Sequence, residues 1–244
     1  MLNDISSRPD QRADAPPYPA RLLLRVAEQT GISYRLSALD LSNDGGALAV
    51  ELARTARTVT VALQDERERE RTAANIQRHQ ARVQLRMSDL HQLAAEGTRY
   101  WLATIGRSLG ELDGASMLTA LDPLIERGGA IAVLGIRFPR IADNAWYHAL
   151  LGADSELRDQ TDEEEALLLR SCFDRLERVS VFEQSSVSVE QALAQLRARS
   201  SRLELEPTRR ALRKFSTPDG QLRRVVEGQA LIARREHDRS GRWS

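Results

Sequence analysis

The chain has 244 residues, 41% hydrophobic and 29% charged, enough for one α/β domain with a sizeable core. Its 35 basic and 35 acidic residues cancel, which argues against a global pull toward nucleic acid or an anionic membrane. The single cysteine, Cys172, excludes an intrachain disulfide and a thiolate metal site, and no apolar run nears the ~18 residues that span a bilayer.

Residues 1–15 carry Ser, Asp, Arg and Pro with few apolar side chains and read as a disordered lead. Pro16, Pro17 and Pro19 fix an extended stretch, after which Leu22, Leu23, Val26 and Ala27 recur at helical spacing up to Gly31. Strand and helix patterns then alternate. Tyr34–Leu41 reads as the first strand and Gly46–Arg54 as its helix. The β-branched run Thr58–Leu63 is the second strand, Asp65–Gln80 a charged helix, Arg82–Met87 the third strand and Tyr100–Ile105 the fourth. A helix over Asp113–Glu126 leads through Gly128 and Gly129 into a fifth strand, Ala130–Ile136. Helices of this length between strands imply right-handed parallel crossovers and a sheet covered on both faces.

The last third has a different rhythm. Asp162–Phe173 reads as a helix whose acidic first turn suits its N-terminus, with Cys172 as a small core residue. Val179–Glu183 is a short strand. Val187–Arg199 is an amphipathic helix with Val189, Ala192, Leu193 and Leu196 inward. Pro207–Phe215 is another helix, Val225–Ala233 the final strand and 236–244 a loose tail. No linker interrupts 16–235, so a single domain is expected. The fold class is α/β: a Rossmann-like doubly wound sheet, mostly parallel, with an antiparallel C-terminal strand pair.

The segment that carries chemistry is Ala38–Ala49, a buried strand, a tight turn and the start of a helix. A turn of this kind brings backbone close to a bound nucleotide and uses glycines to do so. Ser42 and Asp44 stand where a glycine run would begin. Asn43, Asp44 and Gly45 all tolerate left-handed geometry, so the turn still forms. Further along, Asp65–Arg71, with its Glu66–Arg69 and Glu68–Arg71 spacings, reads as a solvated helix face. The basic run Arg209–Lys214 lacks the interleaved aromatics of a nucleic-acid surface. His79, His91, His148 and His237 have neither helical pairing nor cysteine neighbours, so no metal site is expected. His148 is a candidate general base with a tunable pKa, or else a packed surface histidine. Its neighbours Trp146 and Tyr147 either line an apolar substrate pocket or pack a helix.

This order of elements, with Pro16-Pro17-Tyr18-Pro19, Leu39-Asp40-Leu41, Leu124–Val133, and Val187–Gln191 with Arg199-Ser200-Ser201, resembles the class I S-adenosylmethionine-dependent methyltransferases. The branch it most resembles is the small-molecule group with type 11 or type 25 domains, and the likeness spans residues 16–235. The resemblance implies that Asp40 helps hold the methionine amine of the cofactor and that Asp89 lies near the adenine amino group. It places Ser42, Asp44 and Gly46 at the glycine positions and Leu63 where an acidic residue would take the ribose hydroxyls. The His-Trp pair common in that branch is replaced by Gly110 and Glu111.

Two function classes follow. One is an S-adenosylmethionine-dependent methyltransferase acting on a small molecule, with secondary-metabolite tailoring as the setting the branch implies. There Asp40, Ser42, Asp44, Gly46, Leu63 and Asp89 bind the cofactor and His148, Trp146 and Tyr147 face the acceptor. The other is a non-methylating descendant, a partner subunit of an intact methyltransferase or an enzyme of a different reaction. A cytoplasmic protein is expected, with a homo-oligomer or such a partner allowed, and no nucleic acid, membrane or metal.

Overall fold

The alternating pattern folds into a seven-stranded sheet in the computed structural model, which describes residues 18–106, 109, 113–151, 160–199 and 204–235. The expected lead over 1–15 and tail over 236–244 lie outside these residues, as do Gly110, Glu111, Ser200, Ser201 and His237. The helices are α1 (Ala20–Thr30), α2 (Ala47–Leu52), α3 (Glu66–His79), α4 (Leu90–Ala95), α5 (Gly114–Leu121), α6 (Ala145–Leu151), α7 (Gln160–Leu169), α8 (Val189–Arg199) and α9 (Leu205–Arg213). The strands are β1 (Ser37–Asp40), β2 (Thr58–Leu63), β3 (Val83–Met87), β4 (Tyr100–Ile105), β5 (Ile125–Arg137), β6 (Arg175–Ser188) and β7 (Gln221–Arg234). Their order in the sheet is β3-β2-β1-β4-β5-β7-β6, mostly parallel with one antiparallel strand pair. No helix among the described residues is long and apolar enough to cross a membrane.

The described residues fall into two units, one drawn from Pro17–Ile136, Arg158–Val181 and Gly228–Ser244, the other from Arg137–Leu157 and Phe182–Glu227. In the first, the period-2 alternation of the strands divides the core between the faces of the sheet. Ala38, Leu102, Ala130 and Ala132 point to one face and join Leu22, Val26, Leu48 and Val61. Their neighbours Leu39, Ala103, Ile131 and Val133 point to the other and join Leu93, Leu118, Leu121 and Phe173. β1 is flanked by β2 and β4, with Asp40 beside Val61 on one side and Thr104 on the other. The strand order therefore turns back between β1 and β4, and ligands in open α/β sheets bind at the carboxyl ends of strands at such a switch.

In the second unit, Val189, Ala192, Leu193 and Leu196 of α8 are buried as their spacing predicts, together with Leu212 of α9 and Leu222 and Val226 of β7. In the basic run on α9, Arg209 pairs with Glu190 and Glu206.

Several boundaries differ from the sequence reading, each for a local reason. The first strand begins at Ser37 rather than Tyr34, because a Ser33–Leu36 turn precedes it and leaves Tyr34 71% exposed. The fifth helix stops at Leu121, Pro123 tightens the next three residues into a 3-10 turn, and β5 starts at Ile125. Tyr100 of β4 pairs with Ile125 and Leu102 with Ala130, so five residues of β5 pass two of β4. Gly128 and Gly129 allow this bulge: a Cβ on Gly129 would lie 2.6 Å from the Trp101 carbonyl oxygen, and one on Gly128 3.3 Å from the Trp101 ring. β6 runs fourteen residues rather than five, since its largely exposed, polar sequence hides the strand. α7 ends at Leu169, so Cys172 sits exposed beyond it and the neighbouring Phe173 is the core residue. Cys172 Sγ donates to Asp122 Oδ1 at 3.2 Å, and partial burial with that carboxylate pushes its thiol up to about 11, away from thiolate chemistry.

Candidate functional site

The site is built on the last residue of β1. Asp40 is fully buried. Three donors converge on its Oδ1: the Ser42 N–H at 3.1 Å, the Ser42 hydroxyl at 2.8 Å and the Thr104 hydroxyl at 2.9 Å. Its Oδ2 is equally buried and has no hydrogen-bond partner. Burial, and then the charge of nearby Asp44, raise the carboxyl from its ordinary 3.8 to about 7, against the pull of the Ser42 and Thr104 hydrogen bonds.

The turn closes through two glycines. Gly45 and Gly46 have φ of +70° and +73°, the left-handed region open to glycine without strain. Asp44 precedes them and its Oδ2 accepts the Leu48 N–H at 3.1 Å, capping the first turn of α2. Its Oδ1 is buried without a partner, and burial raises this carboxyl too. Ser42 is 1% exposed and faces β4, where a Cβ on Gly106 would come within 3.3 Å of the Ser42 Cβ. Two buried carboxyl groups thus stand at one turn, each with one bare oxygen, and their titration belongs to the pair.

Helix α3 covers the outside of the turn, which the sequence reading did not anticipate. Glu68 Oε1 accepts the Gly45 N–H at 2.6 Å, and Asn75 Nδ2 donates to the Gly45 carbonyl at 3.0 Å. Arg71 pairs with Glu68 at 3.3 Å, and Thr72, wholly buried, lies against Gly46. The Glu68 side chain is 12% exposed, against 59% for Glu66 two residues earlier. The segment Asp65–Arg71 is therefore not a uniformly solvated face. Its signal was present: Glu68, Arg71, Thr72 and Asn75 recur at i, i+3, i+4 and i+7, and Thr72 is the small residue at the centre of that stripe.

At the neighbouring strand ends, Leu63 is a buried core side chain, and Asp65 caps α3 by accepting the Arg67 N–H at 2.9 Å. Asp89 follows β3, is exposed and forms a complete capping box with Gln92 at the start of α4. Replacing it (Asp89→Ala) is expected to destabilise the protein by about 1 kcal/mol in urea denaturation. An unchanged midpoint would show that α4 is held without its cap.

Trp146, Tyr147 and His148 belong to the second unit. The Trp146 ring is 2% exposed and its Nε1 donates to the Arg223 carbonyl at 2.8 Å. Tyr147 stacks on Phe138 with ring centroids 4.3 Å apart, and His148 Nε2 lies 3.3 Å from the Pro139 carbonyl oxygen. These are packing contacts of α6 within its unit. No group of His, Cys, Asp and Glu suited to a metal ion occurs among the described residues.

No protein-family model matches the chain, and no curated protein is similar to it in sequence. Solved structures do share its fold. A protein from Anaeromyxobacter dehalogenans provisionally described as a type II methyltransferase is 20% identical, with 91% of this chain and 98% of that one covered and a TM-score of 0.63. Precorrin 8W decarboxylase of Methanobacterium thermoautotrophicum is 16% identical over 92% of this chain and 97% of its own, with a TM-score of 0.56. The [4+2]-cyclase SpnF is 16% identical over 88% and 81%, with a TM-score of 0.53. The chain therefore has the Rossmann-like fold of the class I methyltransferases. The names attached to that fold span a methyltransferase, a decarboxylase and a cyclase, so the reaction has to be argued from the site.

Proposed function

We propose that this chain is a small-molecule enzyme that binds an adenosyl-sulfonium cofactor, S-adenosylmethionine or a near analogue, and transfers its methyl group to a small-molecule acceptor. The observation that carries this reading is Asp40. A fully buried carboxyl with a bare oxygen stands at the carboxyl end of β1, beside the switch point of the sheet. A buried polar atom without a partner costs on the order of 1–3 kcal/mol, so it persists where something else completes it. An ammonium group, such as the one in the amino-acid tail of the cofactor, would complete it. That half of the tail fits the residues present.

The other assignments follow the strand ends. Gly46 gives the turn its left-handed step into α2. Ser42 and Asp44 are the turn residues nearest the cofactor, Leu63 ends β2 as a buried side chain, and Asp89 stands at the end of β3 for the base. The cofactor supplies an electrophilic methyl on sulfur. The protein's share is to place it in line with the acceptor and keep water out.

The test is titration calorimetry with S-adenosylhomocysteine on folded protein. Binding in the micromolar range is expected, corresponding to roughly 8 kcal/mol. No heat at millimolar concentration from a folded protein, with S-adenosylhomocysteine or with its analogue lacking the α-carboxylate, would sink this reading and leave the non-methylating descendant, a partner subunit or an enzyme of another reaction, in its place. That alternative draws on one specific contact, the Glu68 carboxylate already seated on the Gly45 N–H.

A further inference from the structure

The turn treats the two ends of an amino-acid tail differently. Three carboxyl groups reach it from three elements: Asp40 from β1, Asp44 from the turn itself and Glu68 from α3. Together they take three backbone donors of the turn. The Ser42 N–H goes to Asp40, the Gly45 N–H to Glu68 and the Leu48 N–H to Asp44. Arg71, the cation that α3 brings to the turn, pairs with Glu68. Other polar groups at the turn among the described residues are neutral: the Ser42 and Thr104 hydroxyls, the buried Thr72 hydroxyl, the Asn75 amide, and the Tyr18 hydroxyl close to where a side chain on Gly106 would project.

A ligand carboxylate here would meet like charge in a desolvated setting with key N–H groups already taken. An ammonium would meet two bare carboxyl oxygens, Asp40 Oδ2 and Asp44 Oδ1. In a buried, low-dielectric setting this difference in charge preference is amplified. We propose that the turn selects, among adenosyl-sulfur ligands, those whose tail carries an amine and no carboxylate. Asp44 is the residue that sets the preference, because it stands where a glycine would leave room for the carboxylate. The inference rests on the cofactor reading above and narrows it to one ligand chemistry.

The experiment compares two thioether probes at pH 8: S-adenosylhomocysteine, and its analogue that keeps the amine but lacks the α-carboxylate. The wild-type chain is expected to bind the decarboxylated probe at least about tenfold more tightly. Asp44→Asn keeps the shape and removes the charge, and is expected to bring the two affinities within roughly threefold, mainly by strengthening S-adenosylhomocysteine. Equal affinities in the wild type, or a preference for S-adenosylhomocysteine, would overturn the selectivity while leaving the cofactor reading intact. Failure of both probes at millimolar concentration on folded protein would overturn the two together. The wild-type comparison decides the matter even if the variant does not fold.

Discussion

Asp40→Asn is expected to make the protein more stable at pH 8 while weakening ligand binding. The two effects have one cause. In the folded chain the Asp40 carboxyl is raised from 3.8 to about 7, first by burial and then by Asp44. An acid raised on folding contributes its full share of stability below the unfolded value, near pH 4. That share is lost as the pH climbs through the folded value, near pH 7, because the unfolded chain releases the proton first. The lost stability amounts to about 4 kcal/mol above pH 7. An amide of the same shape keeps an oxygen for the Ser42 N–H and has no proton to lose. Its advantage over the wild type is therefore expected to be near zero at pH 4 and to grow to about 2–4 kcal/mol at pH 8. Urea denaturation of both proteins at the two pH values reads this difference, the response of the coupled Asp44 included, and cancels titrations away from the pair. A gap that does not grow with pH would show that Asp40 is not raised. Binding moves the other way: without the negative charge, the amine of S-adenosylhomocysteine should bind roughly thirtyfold more weakly. A residue that costs the fold stability and supports a ligand is the pattern of a site, and a purely structural aspartate would not show it.

The sequence made the scaffold legible because the scaffold is written in repeated local signals. Thr58–Leu63 is β2 to the residue, since its β-branched run has no competing pattern, and Tyr100–Ile105, led by two aromatics and closed by Thr104 and Ile105, is β4 to the residue. The turn was legible too: Asp40 at the end of a buried strand and Gly46 in left-handed geometry were readable from Leu39-Asp40-Leu41 and the glycines that follow. What local pattern could not carry was the partnership of distant segments. Glu68 lies 23 residues from Gly45, and an alternating Glu/Arg helix looks solvated until tertiary packing selects one stripe of it. Thr104 lies 64 residues from Asp40, and nothing in Tyr100–Ile105 marks its hydroxyl as a donor to the site. The bulge in β5 was missed because Ile125–Gly129 carries no strand alternation; only the fit of Gly128 and Gly129 under Trp101 makes it a strand.

Gly46→Ala is expected to be the most damaging single methyl in this turn, and the reason separates backbone strain from packing. Gly46 and Gly45 both lie in the left-handed region, so an alanine at either costs about 1 kcal/mol in backbone strain alone. Their surroundings differ. A Cβ on Gly45 would approach Arg71 Nε at 2.8 Å, the far end of a flexible and partly exposed side chain that can swing away. A Cβ on Gly46 would lie 2.7 Å from Thr72 Cγ2, a branched side chain wholly buried between α3 and the turn. That clash can be relieved only by moving α3, and such overpacking adds roughly 1–3 kcal/mol. Gly46→Ala should therefore cost about 3 kcal/mol and Gly45→Ala about 1 kcal/mol, read from urea midpoints. Thr72→Ser removes the offending methyl. In the double variant with Gly46→Ala it should restore the packing part and leave the strain part, a coupling of about 1–2 kcal/mol. Equal costs at the two glycines, or no coupling to Thr72, would mean that α3 does not rest on the turn. Because Glu68 and Asn75 grip Gly45 from the same helix face, an α3 displaced by Gly46→Ala would also release the Gly45 N–H.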